Sequence, residues 1–129
     1  MTGKPLCILV VDDEALMRWS LSEILGREGH TVVEAVSAST ARQVMDDASQ
    51  PIDVVLLDYR LPDSNDLTLL EEVRRRMPAS AVVLMTAYGG PDVVQGALDR
   101  GAYCVVDKPF DSHQVEPLVR NAYQAARLH

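Results

Sequence analysis

The sequence predicts an α/β fold in which five parallel strands form a doubly wound sheet with helices on both faces. Apolar runs of four to six residues alternate with amphipathic stretches, a pattern typical of parallel strands that are buried on both faces. Polar residues stand at the carboxyl ends of these runs, where open parallel sheets bind their ligands.

The first part of the chain supplies three strands and two helices. The strands are predicted at residues 6–11, 31–35 and 54–57. The first helix follows Asp13 and ends at Gly29, and its apolar residues at helical spacing are Met17, Leu21, Ile24 and Leu25. The second helix is capped by Ser37 and ends before Pro51. Its predicted buried residues are Ala41, Val44, Met45 and Ala48.

The second part adds a turn at 62–66, strands at 81–85 and 103–106, and three helices. The third helix ends before Pro78, and its apolar face holds Leu67, Leu70, Val73 and Met77. The fourth helix has Pro91 at its first position, and its predicted inner residues are Val94, Ala97 and Leu98. The last helix is capped by Asp111 or Ser112 and runs to His129, with Val115, Leu118, Val119 and Ala122 facing inward.

Length and charge limit the class of protein. The 129 residues fit one domain, 1–129, with a core over about 6–122. The last helix has no glycine or proline stop, which suggests either a helix that continues into a longer parent chain or simply the boundary of this sequence. A formal net charge of −7 argues against nucleic acid as a direct partner, because phosphate binding needs a basic surface. No apolar run is long enough for a membrane span or a signal peptide, so we expect a cytoplasmic protein without membrane contact.

An acidic pocket is predicted at the carboxyl edge of the sheet. Five βα units fit the flavodoxin-like order 2-1-3-4-5, in which the first and third strands are neighbours at the switch point. Those strands end in Asp12, Asp13 and Asp58. Each pair of carboxylates repels by about 4 kcal/mol at about 4 Å with an effective dielectric of about 20, so a cation must offset the charge. Ligands that are only oxygen select a hard ion, and Mg²⁺ is the predicted cofactor.

Three residues of this pocket point to phosphoryl chemistry. A carboxylate can attack a phosphoryl group and form an acyl phosphate while cations neutralise the transferring oxygens. Asp58 is the predicted nucleophile because it stands alone at its strand end. Thr86 offers a hydroxyl to a phosphoryl oxygen, and Lys108 offers a compact positive charge.

Four motifs in order resemble the receiver domains of two-component response regulators, and they cover residues 6 to about 122. They are Val-Val-Asp-Asp-Glu at 10–14, Leu-Asp-Tyr-Arg-Leu-Pro at 57–62, Met-Thr-Ala at 85–87 and Asp-Lys-Pro-Phe at 107–110. The sequence around Asp58 and Thr86 is similar to that of receivers in enhancer-binding, nitrogen-regulatory transcription activators. In that group the receiver precedes an ATPase and a DNA-binding domain, and a free-standing receiver is the alternative.

The resemblance implies a role for each pocket residue. Asp58 would accept a phosphoryl group from a phosphohistidine of a sensor histidine kinase. Asp13, Asp58 and the backbone carbonyl of Arg60 would ligate Mg²⁺ directly, and Asp12 would do so through water. Lys108 would bridge to the carboxylates and precede a cis peptide bond, and Thr86 would be the switch hydroxyl.

The resemblance also implies how the signal leaves the domain. Phosphorylation would change the output face, defined as the fourth helix, the fifth strand and the fifth helix, and so regulate a downstream domain or partner in transcription. The same face would support a homodimer. Such a protein is not a conventional enzyme, because it catalyses only its own aspartyl phosphorylation and dephosphorylation.

Two residues depart from the family pattern. Val105 stands three before Lys108, where an aromatic residue is common, so we hypothesise that signalling uses Thr86 and the loop of Tyr88 instead. Asp66 stands where glycine is usual, and aspartate tolerates the left-handed conformation that such a turn would require. Within the fourth helix, Gly96 costs about 1 kcal/mol relative to alanine, which predicts a weakly protected helix.

Two other functions are weighed against a phosphorylation switch. A degenerate receiver that binds partners without phosphorylation is motivated by Val105 and Asp66. An aspartate-nucleophile phosphatase would carry a second acid two residues after the nucleophile, where this chain has Arg60.

Overall fold

The computed structural model describes residues 4–47 and 51–128, and within these residues five strands alternate with five helices. The strands are β1 (Cys7–Val11), β2 (Thr31–Ala35), β3 (Val54–Asp58), β4 (Ala81–Thr86) and β5 (Cys104–Asp107). The helices are α1 (Ala15–Arg27), α2 (Ala38–Asp46), α3 (Thr68–Arg76), α4 (Pro91–Asp99) and α5 (Ser112–Arg127). Ala48 and His129, which were assigned to helices above, lie outside the described residues.

The strands form one parallel sheet in the order β2-β1-β3-β4-β5. The predicted flavodoxin-like order is therefore confirmed. The register pairs Val11 of β1 with Leu57 of β3, and Thr86 of β4 with Asp107 of β5. Because neighbouring parallel strands end together, the polar residues that follow them share one edge. None of the helices in the described part of the chain has the length and apolar character of a membrane span.

Two apolar cores cover the two faces of the sheet, because alternate residues of a strand point to opposite faces. Leu9 and Val55 belong to the core under α2, α3 and α4. Ile8 and Leu56 belong to the core under α1 and α5. The central strands β1, β3 and β4 are almost wholly buried, as predicted. The edge strands β2 and β5 are partly exposed, since each has a strand neighbour on one side only.

The buried stripe of α4 differs from the predicted one. Leu98 was expected to face inward, but its exposed fraction is 42%. Ala97 is buried and Val93 packs against the core, so the inner stripe follows the spacing i, i+4 from Val93. Gly96 also has a packing role, because a Cβ at this position would lie only 2.9 Å from Cδ1 of Leu67. The glycine lets α4 approach the start of α3 closely.

We expect the amides of α4 to exchange faster with solvent than those of α1 and α5. Ala97 is the one fully buried residue of α4, whereas α5 buries Val115, Val119 and Ala122. Few buried apolar contacts leave a small free energy for local opening. Hydrogen–deuterium exchange resolved by residue measures the difference. Protection of α4 equal to that of the central strands would contradict the expectation.

His30, a buried residue to which the sequence analysis assigned no role, ties α5 to the segments that precede β1 and β2. The Nδ1 atom of His30 accepts the backbone N–H of Leu6 at 2.9 Å. Its Nε2 atom lies 2.6 Å from Oε2 of Glu116 on α5. Arg120 adds a second tie, since its guanidinium pairs with Glu116 at 3.2 Å and donates to the carbonyl of Lys4 at 2.9 Å. These bonds fix α5 to the start of β1.

Candidate functional site

Three carboxylates meet at the carboxyl edge of the sheet, where the sequence predicted an acidic pocket. Asp12 follows β1 and is fully buried, Asp58 is the last residue of β3 and is 7% exposed, and Asp13 is exposed. One oxygen from each can be chosen so that all lie within 4.8 Å of one another. The backbone of Asp12 is fixed by its N–H, which donates to the carbonyl of Ala35 at 3.0 Å.

Lys108 reaches into this pocket from the end of β5. Its Nζ atom lies 2.7 Å from Oδ2 of Asp12 and 3.3 Å from Oδ1 of Asp58. A third carboxylate, that of Glu14, lies 3.1 Å away, a contact that the sequence analysis did not anticipate. The N–H of Lys108 donates to the carbonyl of Thr86 at 2.8 Å, and the Lys108–Pro109 bond is cis, as the resemblance implied.

The pocket changes the acidity of its groups. The pKa of Asp58 is raised to about 6: burial is the largest cause, the negative charge of Asp12 adds to the rise, and Lys108 acts in the opposite direction. Burial also opposes the charge on Lys108, but hydrogen bonds to Asp12 and Glu14 outweigh it and raise the pKa of this ammonium. Asp58 is thus ionised at neutral pH beside a firmly charged lysine.

Asp58 should make the metal-free protein less stable as pH rises from about 4 to about 6. Its pKa is about 6 in the folded chain and 3.8 without the fold, so over this range the folded state holds the proton more tightly. Tighter proton binding by the native state makes the unfolding free energy fall with rising pH. Urea unfolding in EDTA at several pH values measures the slope. Subtracting the Asp58→Asn curve isolates this group, and a difference that does not vary with pH would refute the assignment.

Thr86 ends β4 and is buried beside the loop that leads to α4. Its Oγ1 atom accepts the backbone N–H of Tyr88 at 3.2 Å, while the side chain of Tyr88 is 87% exposed. Gly89 lies so close that a Cβ there would be 2.9 Å from Cγ2 of Thr86 and 3.1 Å from Oδ1 of Asp107. Val105 packs against the core beneath this loop. Involvement of the Tyr88 loop in signalling remains a prediction.

The loop after β3 carries Arg60 and Asp66. Arg60 is exposed, and a hydrogen bond from its backbone helps to offset the rise in the pKa of Asp58. Asp66 does not adopt the left-handed conformation that we expected, because no non-glycine residue in the described ranges has a positive φ. Its Oδ1 atom instead accepts the N–H of Thr68, the first residue of α3, at 2.9 Å. The side chain of Asp66 therefore bonds the first amide of α3 without a left-handed turn.

The donor set fits a magnesium ion. Asp12, Asp13 and Asp58 present oxygen atoms only, which suits a hard divalent cation that keeps some of its water. Two of these carboxylates are buried, so the repulsion between them is poorly screened and a divalent cation would relieve it. Lys108 supplies only one positive charge to the three carboxylates that it contacts, which are those of Asp12, Glu14 and Asp58.

The chain is similar to known proteins over most of its length. The family model of the response regulator receiver domain matches residues 8–120. The response regulator protein PilR of Pseudomonas aeruginosa is 37% identical over 114 residues, which are 88% of this chain and 25% of PilR. The crystal structure of NtrX from Brucella abortus in complex with ADP superposes with a TM-score of 0.84 at 31% identity, covering 97% of this chain and 28% of that one. The solution structure of the beryllofluoride-activated NtrC4 receiver domain dimer gives 0.83 at 28% identity, covering 93% and 98%. The chain spans about a quarter of the length of PilR and NtrX.

Proposed function

The chain belongs to the response regulator receiver domain family, and from this membership we propose that Asp58 is the phosphoryl acceptor of a two-component signalling switch. Members of this family work in phosphorylation-dependent signalling. The observation that carries the assignment to Asp58 is its place between two further carboxylates and the ammonium of Lys108. It is the carboxylate at the end of a central strand, with a pKa of about 6 that leaves it charged at neutral pH.

The proposed transfer uses the oxygens of Asp58 as the nucleophile. A carboxylate oxygen forms a bond to phosphorus while the bond from phosphorus to the donor breaks, and the donor leaves with the electron pair and takes up a proton. Asp12, Asp13, Asp58 and the carbonyl of Arg60 would hold a magnesium ion, which would supply positive charge to the transferring oxygens. Lys108, whose Nζ lies 3.3 Å from Oδ1 of Asp58, would stabilise the same charge.

Thr86 would couple the phosphoryl group to the output face. Its hydroxyl oxygen accepts the N–H of Tyr88 in this structure. Donating its own proton to a phosphoryl oxygen would reorient the hydroxyl and change its contact with the loop that precedes α4. The loop passes so close to Thr86 that a Cβ on Gly89 would lie 2.9 Å from Cγ2 of Thr86, so we expect the loop to respond to such a movement.

The partners follow from the family. We propose a sensor histidine kinase as the phosphodonor in the cytoplasm, and a downstream domain or protein in transcription regulation as the receiver of the signal. The output face is α4, β5 and α5, and its use in a homodimer is supported by the dimer of the NtrC4 receiver domain. The net charge of −7 supports a domain that does not itself bind DNA.

Intact-protein mass spectrometry after treatment with acetyl phosphate tests the proposal. We expect a mass gain of one phosphoryl group with Mg²⁺ and none with EDTA. Absence of labelling under both conditions would favour a receiver that binds partners without phosphorylation. Sustained turnover of a simple phosphomonoester would favour a phosphatase, although Arg60 stands where such an enzyme would place its second acid.

A further inference from the structure

The loop between β3 and α3 is fastened to the start of α2 by the carboxylate of Asp63. Its Oδ1 atom accepts the backbone N–H of Ala38 at 2.8 Å, and its Oδ2 atom accepts that of Ser39 at 2.9 Å. These amides open α2 and have no partner within the helix. The hydrogen bonds, led by the one from Ala38, hold the pKa of Asp63 below its usual range. Asp63 therefore caps a helix that belongs to a different βα unit.

The same loop carries Arg60 between two fixed neighbours. On one side, the N–H of Tyr59 donates to the carbonyl of Met85 at 2.8 Å. On the other, Leu61 is buried in the core, donates to the carbonyl of Ser64 at 2.8 Å and accepts the N–H of Ser64 at 3.3 Å. This pair of bonds closes the turn 61–64, and Asp63 lies inside it. Holding Asp63 thus holds the turn that fixes the backbone at Arg60.

The start of α2 is also joined to the other side of the pocket. Ala35, three residues before Ala38, accepts the backbone N–H of Asp12 through its carbonyl at 3.0 Å. Both alanines are fully buried, so this short segment has little freedom to shift. Asp63 consequently connects the loop after Asp58 to the segment that fixes Asp12.

We infer that Asp63 is a positioning residue for the magnesium site, because it sets the distance between the Asp12 side of the pocket and the loop that carries Arg60. The inference rests on the proposed function, in which the Arg60 carbonyl is a metal ligand. Asp63 itself need not touch the ion. Its removal should loosen the turn 61–64 and weaken Mg²⁺ binding while leaving the three pocket carboxylates in place.

Calorimetric titration of the protein with MgCl₂ tests this inference, at a temperature where circular dichroism shows each variant folded. We expect Asp63→Ala to weaken Mg²⁺ binding by about tenfold, the lower end of what residues behind metal ligands contribute. Asp63→Asn keeps one acceptor oxygen for the α2 amides and should restore part of the affinity. If Asp63→Ala fails to fold, the comparison of Asp63→Asn with wild type carries the test.

Two matched controls separate positioning from other effects. Ser37→Ala removes the other cap of α2, whose Oγ accepts the N–H of Thr40 at 3.1 Å, without touching the loop. Asp66→Asn removes a charge from the same loop without affecting α2. Both should change the Mg²⁺ affinity by less than about twofold, well below the effect expected of residues behind metal ligands.

The outcomes distinguish this inference from the proposed function. Wild-type affinity in both Asp63 variants, or equal losses in Ser37→Ala or Asp66→Asn, would overturn the role of Asp63 and leave the proposed function intact. A wild-type protein that does not bind Mg²⁺ would overturn the metal site and this inference together.

Discussion

Replacing Asp58 with asparagine is expected to reduce phosphoryl incorporation from acetyl phosphate to background. The amide is nearly the same size as the carboxylate but is not a nucleophile, and it carries no charge to attract a cation. The fold should tolerate the change, because Lys108 keeps Asp12 and Glu14 as partners at 2.7 and 3.1 Å. Intact mass measured over time, with Mg²⁺ present, gives the result directly.

Two further aspartates provide controls for this experiment. Asp13→Asn removes one carboxylate oxygen from the pocket but keeps Asp58, the proposed phosphoryl acceptor. Labelling should therefore continue at a reduced rate. Asp99→Asn changes an exposed carboxylate at the end of α4, whose partner is Gln95 at 2.8 Å, and should label like wild type. Full labelling of Asp58→Asn would show that another residue accepts the phosphoryl group.

Replacing Lys108 with methionine is expected to lower the unfolding free energy of the metal-free protein by about 3 kcal/mol at pH 8, the cost of leaving buried charge without its partner. The ammonium lies within 3.3 Å of Asp12 and Asp58, both of which are buried. Methionine keeps most of the aliphatic stem and removes only the charge. The loss should be smaller at pH 5, where Asp58 takes up a proton.

Lys4 is a matched control, because the sequence contains two lysines and the same substitution can be made at each. Lys4 is exposed and its Nζ lies 5.5 Å from the ring centre of Tyr123, so Lys4→Met should cost less than about 1 kcal/mol. Urea unfolding in EDTA measures both variants. Equal stabilities of Lys108→Met and Lys4→Met at pH 8 would contradict a compensating role for Lys108. Added Mg²⁺ should recover part of the loss in Lys108→Met.

The elements that the sequence predicted well are those in which one local signal is sufficient. Buried apolar runs identify β1, β3 and β4. A polar residue follows or ends each run, namely Asp12, Asp58 and Thr86. Because the order of βα units fixes which strand ends are neighbours, the meeting of Asp12, Asp13 and Asp58 follows from topology alone. Ser37 was also recognised as a cap from its position, and Asp111 was one of two candidates for the last helix; both accept a backbone N–H in the structure.

The features that the sequence did not predict depend on contacts between distant segments. Leu98 matches a helical pattern, but the narrow contact of α4 with the sheet leaves it exposed. Asp63 looks like an ordinary turn residue until α2 is placed beside it, 25 residues away in the chain. His30 looks like a surface turn residue, yet its buried ring contacts a helix that begins about 80 residues later. The periodicity of apolar residues along the chain does not predict contacts between segments that are far apart in the sequence.

The attachment of α5 through His30, Glu116 and Arg120 means that the two helices of the proposed output face are held with different firmness. Side-chain bonds tie α5 to the segments that precede β1 and β2, whereas α4 has one fully buried residue, Ala97. A partner that distinguishes the two signalling states is therefore expected to sense a changed angle between a stationary helix and a displaced one. Substitutions that detach α5 from these segments should make the two signalling states harder to distinguish. We expect them to raise the basal signal without altering phosphorylation of Asp58.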